Sequence, residues 1–316
     1  MHARQVTDVT STGLNAPMDH PMPLPQLRVA EERAARPAPY RIVEPAQRAA
    51  PLVFASPHSG RDYPANFLEA ARLDALALRR SEDCFVDELF AGATQAGAPL
   101  LAATFARAYC DPNREAWELD PSMFADALPA WVNTTSARVG AGLGTLARVV
   151  ASGEAIYRRK LSFEEAEFRV HAYWEPYHEA LQALLDSTRA RFGACLLIDC
   201  HSMPGQSCGA GRPSPDIVLG DAHGTACAPR ITRVVESLLT GFGYHVRRND
   251  PYAGGYVTRH YGRPRDNVHA LQIEVARPLY MDEARFLRGP GFATLQRDLS
   301  TLAIELARQA PALLRP

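Results

Sequence analysis

Ala194-Cys-Leu-Leu-Ile-Asp-Cys-His-Ser202 decides the reading of this chain: five apolar residues run straight into Asp199, Cys200, His201 and Ser202. A short continuous apolar run fits a strand buried on both faces, the kind found in sheets covered by helices on each side. Outward from it, Pro51-Leu-Val-Phe-Ala55 is a second such run, followed by the turn Ser56-Pro57-His58-Ser59-Gly60. Pro99 to Phe105, Asp216 to Leu219, Tyr244 to Arg247 and His269 to Val275 are further strand candidates. Longer amphipathic stretches lie between them. Helices are expected over Asn66–Arg80, Ser81–Gln95 with Ser81 as N-cap, Glu154–Arg191 with a break at Pro176, residues 225–240, and Asp282–Gln309. Strands alternating with helices imply an α/β layered fold with helices on both faces of the sheet.

In such sheets ligands bind at the carboxyl ends of the strands. Those ends carry His58, His201 and, within the last strand, Glu274. One histidine so placed is readily explained as hydrogen-bonded structure. Two at the ends of separate strands of one sheet point to a metal, because catalytic zinc favours two imidazoles, one carboxylate and an open position. Glu82, Asp83 and Asp199 each qualify for the carboxylate on spacing. Asp199 has a rival use, ordering His201 through the imidazole N–H that does not bind metal. Glu82 and Asp83 have one too, as acids complementing the helix dipole behind Ser81.

Arg107-Ala-Tyr-Cys-Asp111-Pro-Asn113-Arg114 packs two arginines, an aspartate and an asparagine into eight residues. The planar guanidinium fork matches a carboxylate, so the segment is either a carboxylate receptor or a surface turn with a local ion pair. The glycine- and aromatic-rich stretch Tyr252 to Gly262 has the composition of a loop that closes over a ligand. Neither a phosphate-binding P-loop nor a dinucleotide fingerprint occurs.

Composition narrows the class. With 34 basic against 35 acidic residues the net charge is −1, which argues against a nucleic acid or an anionic membrane as partner. No apolar run approaches the roughly 20 residues of a membrane span. The six cysteines form no C-x-x-C pair, which fits reduced thiols and a cytoplasmic setting, and makes thiolate zinc ligands improbable. Residues 1–40 are proline-rich and aperiodic and are expected to be a flexible tail. Residues 41–316 show no second break in composition and are expected to form one catalytic α/β domain.

Six segments now stand in order: Ser56-Pro57-His58-Ser59-Gly60, Glu82-Asp83, Arg107-x3-Asp111-x-Asn113-Arg114, Asp199-Cys-His201-Ser202, Gly254-Gly255-Tyr-Val-Thr258-Arg-His260-Tyr-Gly262, and Gln272-Ile-Glu274 followed by Leu279-Tyr-Met281. Together, over about residues 50–285, they resemble the N-formylglutamate amidohydrolases, or N-formylglutamate deformylases. The resemblance implies a three-layer fold like that of zinc carboxypeptidases and aspartoacylase-like deacylases, a phosphorylase/hydrolase-like mixed, mostly parallel sheet flanked by helices. It also implies one zinc ion per chain, held by His58, Asp83 and His201, with Glu274 as general base. By the same resemblance Asn113 and Arg114 hold a substrate carboxylate, and Arg107 polarises the scissile carbonyl or binds a second carboxylate. Arg259, His260 and Tyr256 are further substrate contacts it suggests, with Arg277 another cation for the second carboxylate; Asp111 and Asp199 stand behind the metal ligands. One departure is visible: the relatives place a ligand glutamate three residues after the first histidine, where this chain has Arg61. The activity implied is release of formate from N-formyl-L-glutamate, a small-molecule substrate. Rivals are deacylation of another N-acyl acidic amino acid or a carboxypeptidase-like cleavage, and a ligand-binding homologue without catalysis. The oligomeric state is left open.

Overall fold

A computed structural model describes residues 38–205 and 214–314. The proline-rich residues 1–37, and with them nearly all of the expected tail, lie outside the described residues. Seven strands form one sheet in the order β1-β3-β2-β4-β7-β5-β6, where β1 is Tyr40–Val43, β2 Leu52–Ser56, β3 Leu100–Ala103, β4 Cys195–Met203, β5 Ile217–Gly220, β6 Val246–Arg248 and β7 Val268–Ala276. β2 pairs in parallel with β3 and β4, β4 with β7, and β5 with β6, whereas β1–β3 and β5–β7 are antiparallel. The sheet is therefore mixed and mostly parallel, as expected.

Side-chain alternation along β4 and β7 builds both the core and the site. Leu196, Ile198 and Cys200, with Leu271, Ile273 and Val275, face the helices Pro229–Gly241 and Phe292–Leu313 through residues such as Ile231, Leu295 and Leu299. Cys195 and Leu197, with Ala270, face the helix Glu175–Phe192 through Tyr177, Leu181 and Leu184. Asp199 and His201 continue that second face in β4, and Gln272 and Glu274 continue it in β7. The parallel register sets Asp199 opposite Gln272 and His201 opposite Glu274. The working residues thus share one face near the carboxyl ends of two neighbouring central strands, one position before Met203 and Ala276 on that face.

Several expected elements differ in detail. β4 runs on to Met203, so Asp199 and His201 are strand residues rather than residues beyond the strand. The two helices expected over residues 66–95 are replaced by short pieces, Ala65–Ala70, Ala75–Leu78 and Val86–Leu89, with single 3-10 turns between and after them. Ser81 caps no helix: its hydroxyl accepts from the Ala151 N–H, Glu82 is extended, and Phe85 has a left-handed φ of 64°. That unwinding frees Asp83, whose N–H donates to the His58 carbonyl at 3.0 Å and ties the two loops together. Residues 154–162 are not helical. The following helix runs unbroken from Phe163 to Phe192, but passes through a π-helical stretch at Val170–Trp174 just before Pro176. The last expected helix begins only at Phe292, after a two-residue-per-strand hairpin, Met281–Asp282 with Leu287–Arg288.

Among the described residues, no helix is long and apolar enough to cross a membrane, and the five cysteines are free and buried.

Gly60 closes the turn after β2 where the chain passes against another backbone. A Cβ there would lie 2.1 Å from the Phe105 carbonyl oxygen, a contact that only a backbone shift relieves. Overpacking of this kind costs about 1–3 kcal/mol. Gly60→Ala is therefore expected to lower Tm by roughly 5 °C; a variant melting with the wild type would show that this turn is free to move.

Candidate active site

His58 follows β2, Asp83 lies in the extended link after Ser81, and His201 is in β4; all three are buried. One ligand-type atom from each, two imidazole nitrogens and a carboxylate oxygen, lie within 4.8 Å of one another. Asp83 Oδ2 is 3.3 Å from His58 Nδ1 and 3.0 Å from His201 Nδ1. The outer nitrogens of both rings are held by other carboxylates. His58 Nε2 donates to Asp111 Oδ1 at 2.7 Å, and His201 Nε2 donates to Asp199 Oδ1 at 2.9 Å. With its proton on Nε2 alone, as metal binding requires, each imidazole turns an Nδ1 lone pair towards Asp83; without a metal, a proton on His201 Nδ1 donates to Asp83 Oδ2 instead. His58 Nδ1 is a buried nitrogen with no hydrogen-bond partner among the described residues. Three electron-pair donors aimed at one point repel one another unless a cation lies between them. Histidine ligands whose other N–H is fixed by a carboxylate are the usual frame of a metal centre. The donor set, two nitrogens and one oxygen, suits zinc.

The surrounding groups are fixed in turn. Arg277 donates from Nη2 to the Glu82 carbonyl at 2.7 Å and to Asp83 Oδ1 at 3.3 Å, so Asp83 is held on both sides. Burial alone would raise the Asp83 carboxyl, but the His201 hydrogen bond and the neighbouring His58 and His201 rings, when protonated in the absence of a metal, outweigh it and hold it well below the usual range. For His201 burial works downward, and the Asp199 and Asp83 carboxylates reverse it, raising the imidazole. Asp111 is likewise held low against its burial by Arg107, His58 and Arg114. Glu82, the alternative carboxylate, faces away: Tyr63 Oη donates to it at 2.5 Å, and Arg79 Nε at 3.0 Å.

Glu274 is buried beside this cluster. Burial pushes its carboxyl up to about 7, with Asp83 and Asp199 adding to the rise, against the pull of His201 and Arg107. Gln272 Nε2 donates to Glu274 Oε1 at 2.9 Å, while Gln272 Oε1 accepts the Gly255 N–H at 2.8 Å. Asp199 is completed by the Thr258 hydroxyl, which donates to Oδ2 at 3.0 Å. Gln272 and Thr258 stand in the quoted segments without an expected role. For Gln272 the signal was the period-2 alternation that puts it on the face of Glu274; Thr258, in the helix Tyr256–Tyr261, had none.

A cavity of about 480 Å³ opens over these groups, lined by His58, Asp83, His201 and Glu274, by Asn113, Gln272 and Gly255, and by the arginines 107, 114, 138, 259 and 277. Arg107 donates to Asp111 Oδ2 at 2.7 Å and is held charged by Asp111, Asp83 and Glu274 against its burial. Arg114 donates from Nε to the Leu143 carbonyl and from Nη1 to the Asn113 carbonyl. Asn113 Oδ1 accepts the Val257 N–H at 2.8 Å, which fixes its amide; its Nδ2 then faces His201 Nε2 at 3.2 Å. Both of those atoms carry protons when Nε2 donates to Asp199, so that contact is packing rather than a hydrogen bond. Tyr256 and His260, expected beside the substrate, do not line the cavity. They stack on each other at 4.8 Å, and Tyr256 packs on Trp174. Arg138, which sequence reasoning passed over, does line it.

Thr258→Val keeps the shape but leaves the buried Asp199 oxygen short of a donor, at a cost of about 1–3 kcal/mol. Denaturant unfolding should show that loss and its recovery in Thr258→Ser; unchanged stability in the valine variant would mean that the hydroxyl does not hold Asp199.

Residues 50–281 match the family model described as N-formylglutamate amidohydrolase. The chain is 32% identical over 239 residues to an N-formylglutamate deformylase of Pseudomonas aeruginosa, covering 74% of this chain and 83% of that protein. It is 30% identical over 241 residues to one of Pseudomonas putida, covering 74% and 82%. A crystal structure of N-formylglutamate amidohydrolase from Ralstonia eutropha JMP134 superposes with a TM-score of 0.82 at 40% identity, over 86% of this chain and 98% of that one. The fold, the ordered motifs and these relatives agree: the chain belongs to the N-formylglutamate amidohydrolase family.

Proposed function

We propose that the protein is a zinc-dependent N-formylglutamate deformylase acting on the free small molecule, and that His58, Asp83 and His201 bind its metal. The observation that carries this reading is the buried convergence of two Nδ1 lone pairs and one carboxylate oxygen, with Glu274 in register beside His201 and a cavity rich in arginine above them. Bound there, a zinc ion supplies Lewis acidity, which brings the pKa of a water ligand down to roughly 7.

The chain's own groups do the rest. Glu274 takes the proton of the attacking water and later delivers it to the departing amine. Its burial keeps the carboxyl near neutrality, where it can both accept and return a proton. Gln272 orients that carboxylate through the bond to Oε1. Arg107, anchored by Asp111, presents a cation to the oxygen on which charge develops, an interaction typically worth about 3–4 kcal/mol. Asp111 and Asp199 keep the two imidazoles in the tautomer that leaves Nδ1 free. Arg114 receives a substrate carboxylate, and Asn113 holds the loop that aims it, being fixed to Val257. The C–N bond of the formamide breaks, and formate and glutamate leave. The donor set and the arginine-rich wall favour this reading over a non-catalytic homologue, since a binding protein needs no proton acceptor beside the metal ligands. No helix of membrane-spanning character occurs among the described residues, which is compatible with a cytoplasmic enzyme.

Formate release from N-formyl-L-glutamate is the direct assay, with N-acetyl-L-glutamate as comparison and a chelator as control. Activity should vanish with chelator, return with zinc, and fall steeply when formyl becomes acetyl. Glu274→Gln should retain its zinc yet lose about 10²–10⁴-fold in kcat. Because the base must be ionised, the wild-type rate should climb with pH up to an apparent pKa at or below about 7, a bound cation favouring the carboxylate. A Glu274→Gln variant with zinc bound and more than a tenth of wild-type kcat would remove the general-base assignment.

A further inference from the structure

A dicarboxylate substrate needs two cationic contacts, and the arginines of the cavity are not equally available to make them. Arg107 is engaged by Asp111, and Arg277 by Asp83 and the Glu82 carbonyl. Arg259 donates from Nε to the Gly254 carbonyl at 3.2 Å. Among the described residues, the Arg138 guanidinium has neither hydrogen bond nor ion pair, although it lines the same cavity.

Its backbone is firmly placed. Arg138 lies in the one-turn helix Ala137–Gly140, where the Ser136 hydroxyl accepts the Val139 N–H at 3.1 Å. The Arg138 carbonyl accepts the Leu143 N–H at 2.8 Å, and the Leu143 carbonyl accepts Arg114 Nε at 2.8 Å. Two residues on, the Thr145 carbonyl accepts the Asp111 N–H at 2.7 Å. A short hydrogen-bonded path therefore links Arg138 to Arg114, and the segment bearing it is bonded to the loop of Asp111 and Asn113. The two guanidinium groups are close enough that the charge of Arg138 helps to lower the pKa of Arg114, after burial and the charge of Arg107 and against the pull of Asp111. Neighbouring like charges, one of them unpaired, cost energy in the free protein and recover it when a dianion binds.

We infer that Arg138 is the specificity residue for the second carboxylate, pairing with Arg114 so that the cavity selects N-formyl derivatives of dicarboxylic amino acids. The inference rests on the deformylase reading, and its test separates the two. Glutarate and butyrate, a dicarboxylate and its monocarboxylate counterpart, are titrated calorimetrically into wild type, Arg138→Ala, Arg138→Lys and Arg259→Ala, all loaded with zinc. Losing one charged hydrogen-bonded contact corresponds to a drop of at least about tenfold in affinity. Arg138→Ala should weaken glutarate by that factor and leave butyrate within about twofold, Arg138→Lys should recover part of the loss, and Arg259→Ala should change glutarate by less than about threefold. In turnover, KM for N-formylglutamate should rise in Arg138→Ala while kcat stays near the wild-type value. Unchanged glutarate binding in Arg138→Ala, an equal loss for butyrate, or a larger loss in Arg259→Ala would overturn the inference. Absence of formate release by the wild type would instead overturn the deformylase reading, with the glutarate titration still deciding on Arg138.

Discussion

The constraint on which the rest of this structure depends is the meeting of His58 Nδ1, His201 Nδ1 and Asp83 Oδ2 on the buried floor of the cavity. Buried lone pairs in such proximity are unfavourable, and the surrounding groups keep them from separating or protonating elsewhere. Asp111 and Asp199 hold the imidazoles from behind, Arg277 holds the carboxylate, and the Asp83 N–H is bonded to the His58 carbonyl. A second circle holds the first: Thr258 on Asp199, Arg107 on Asp111, Val257 on Asn113. Precision of this kind needs rigid support, and the central strands of a sheet with helices on both sides provide it.

The sheet does more than support. Because β4 and β7 are parallel neighbours in fixed register, placing His201 on one inward face places Glu274 beside it. The face is apolar as far as Leu197 and Ala270, under the cover of the helix Glu175–Phe192, polar at Asp199, His201, Gln272 and Glu274, and apolar again at Met203 and Ala276. Core and site are therefore one alternating pattern whose chemistry changes where the helix cover ends. Burial raises the Glu274 carboxyl, while direct partners lower those of Asp83 and Asp111. The carboxylates of one site are thereby pushed apart in proton affinity, as the proposed division into base and metal ligand requires.

Much of this was legible in the chain. The apolar runs before His58 and His201, and the alternation around Glu274, identify three of the central strands, and the sheet aligns them as the strand-end argument requires. Asp83 was one of three carboxylates on spacing, and only three-dimensional placement turns Glu82 towards Tyr63 and Arg79 and sets Asp199 behind His201. The stretch 66–95 misled because its apolar spacing is helical while tertiary demands prevail: Asp83 must reach His58, and the chain turns back through a left-handed Phe85. Tyr256 and His260 carried the composition of a ligand loop, yet aromatic rings satisfy one another in a stack as readily as they meet a substrate. Arg138 gave no signal, since its glycine-rich surroundings have no apolar period and its relevance comes from a bond between distant loops.

The central claim is that a zinc ion belongs between the two Nδ1 atoms and Asp83. Anomalous diffraction from crystals of the zinc-loaded protein, collected on both sides of the zinc absorption edge, addresses it most directly. The account predicts one strong peak about 2.0–2.2 Å from His58 Nδ1, His201 Nδ1 and an Asp83 carboxylate oxygen. A peak bound through the Nε2 atoms, or no peak at this position in protein that releases formate, would contradict it.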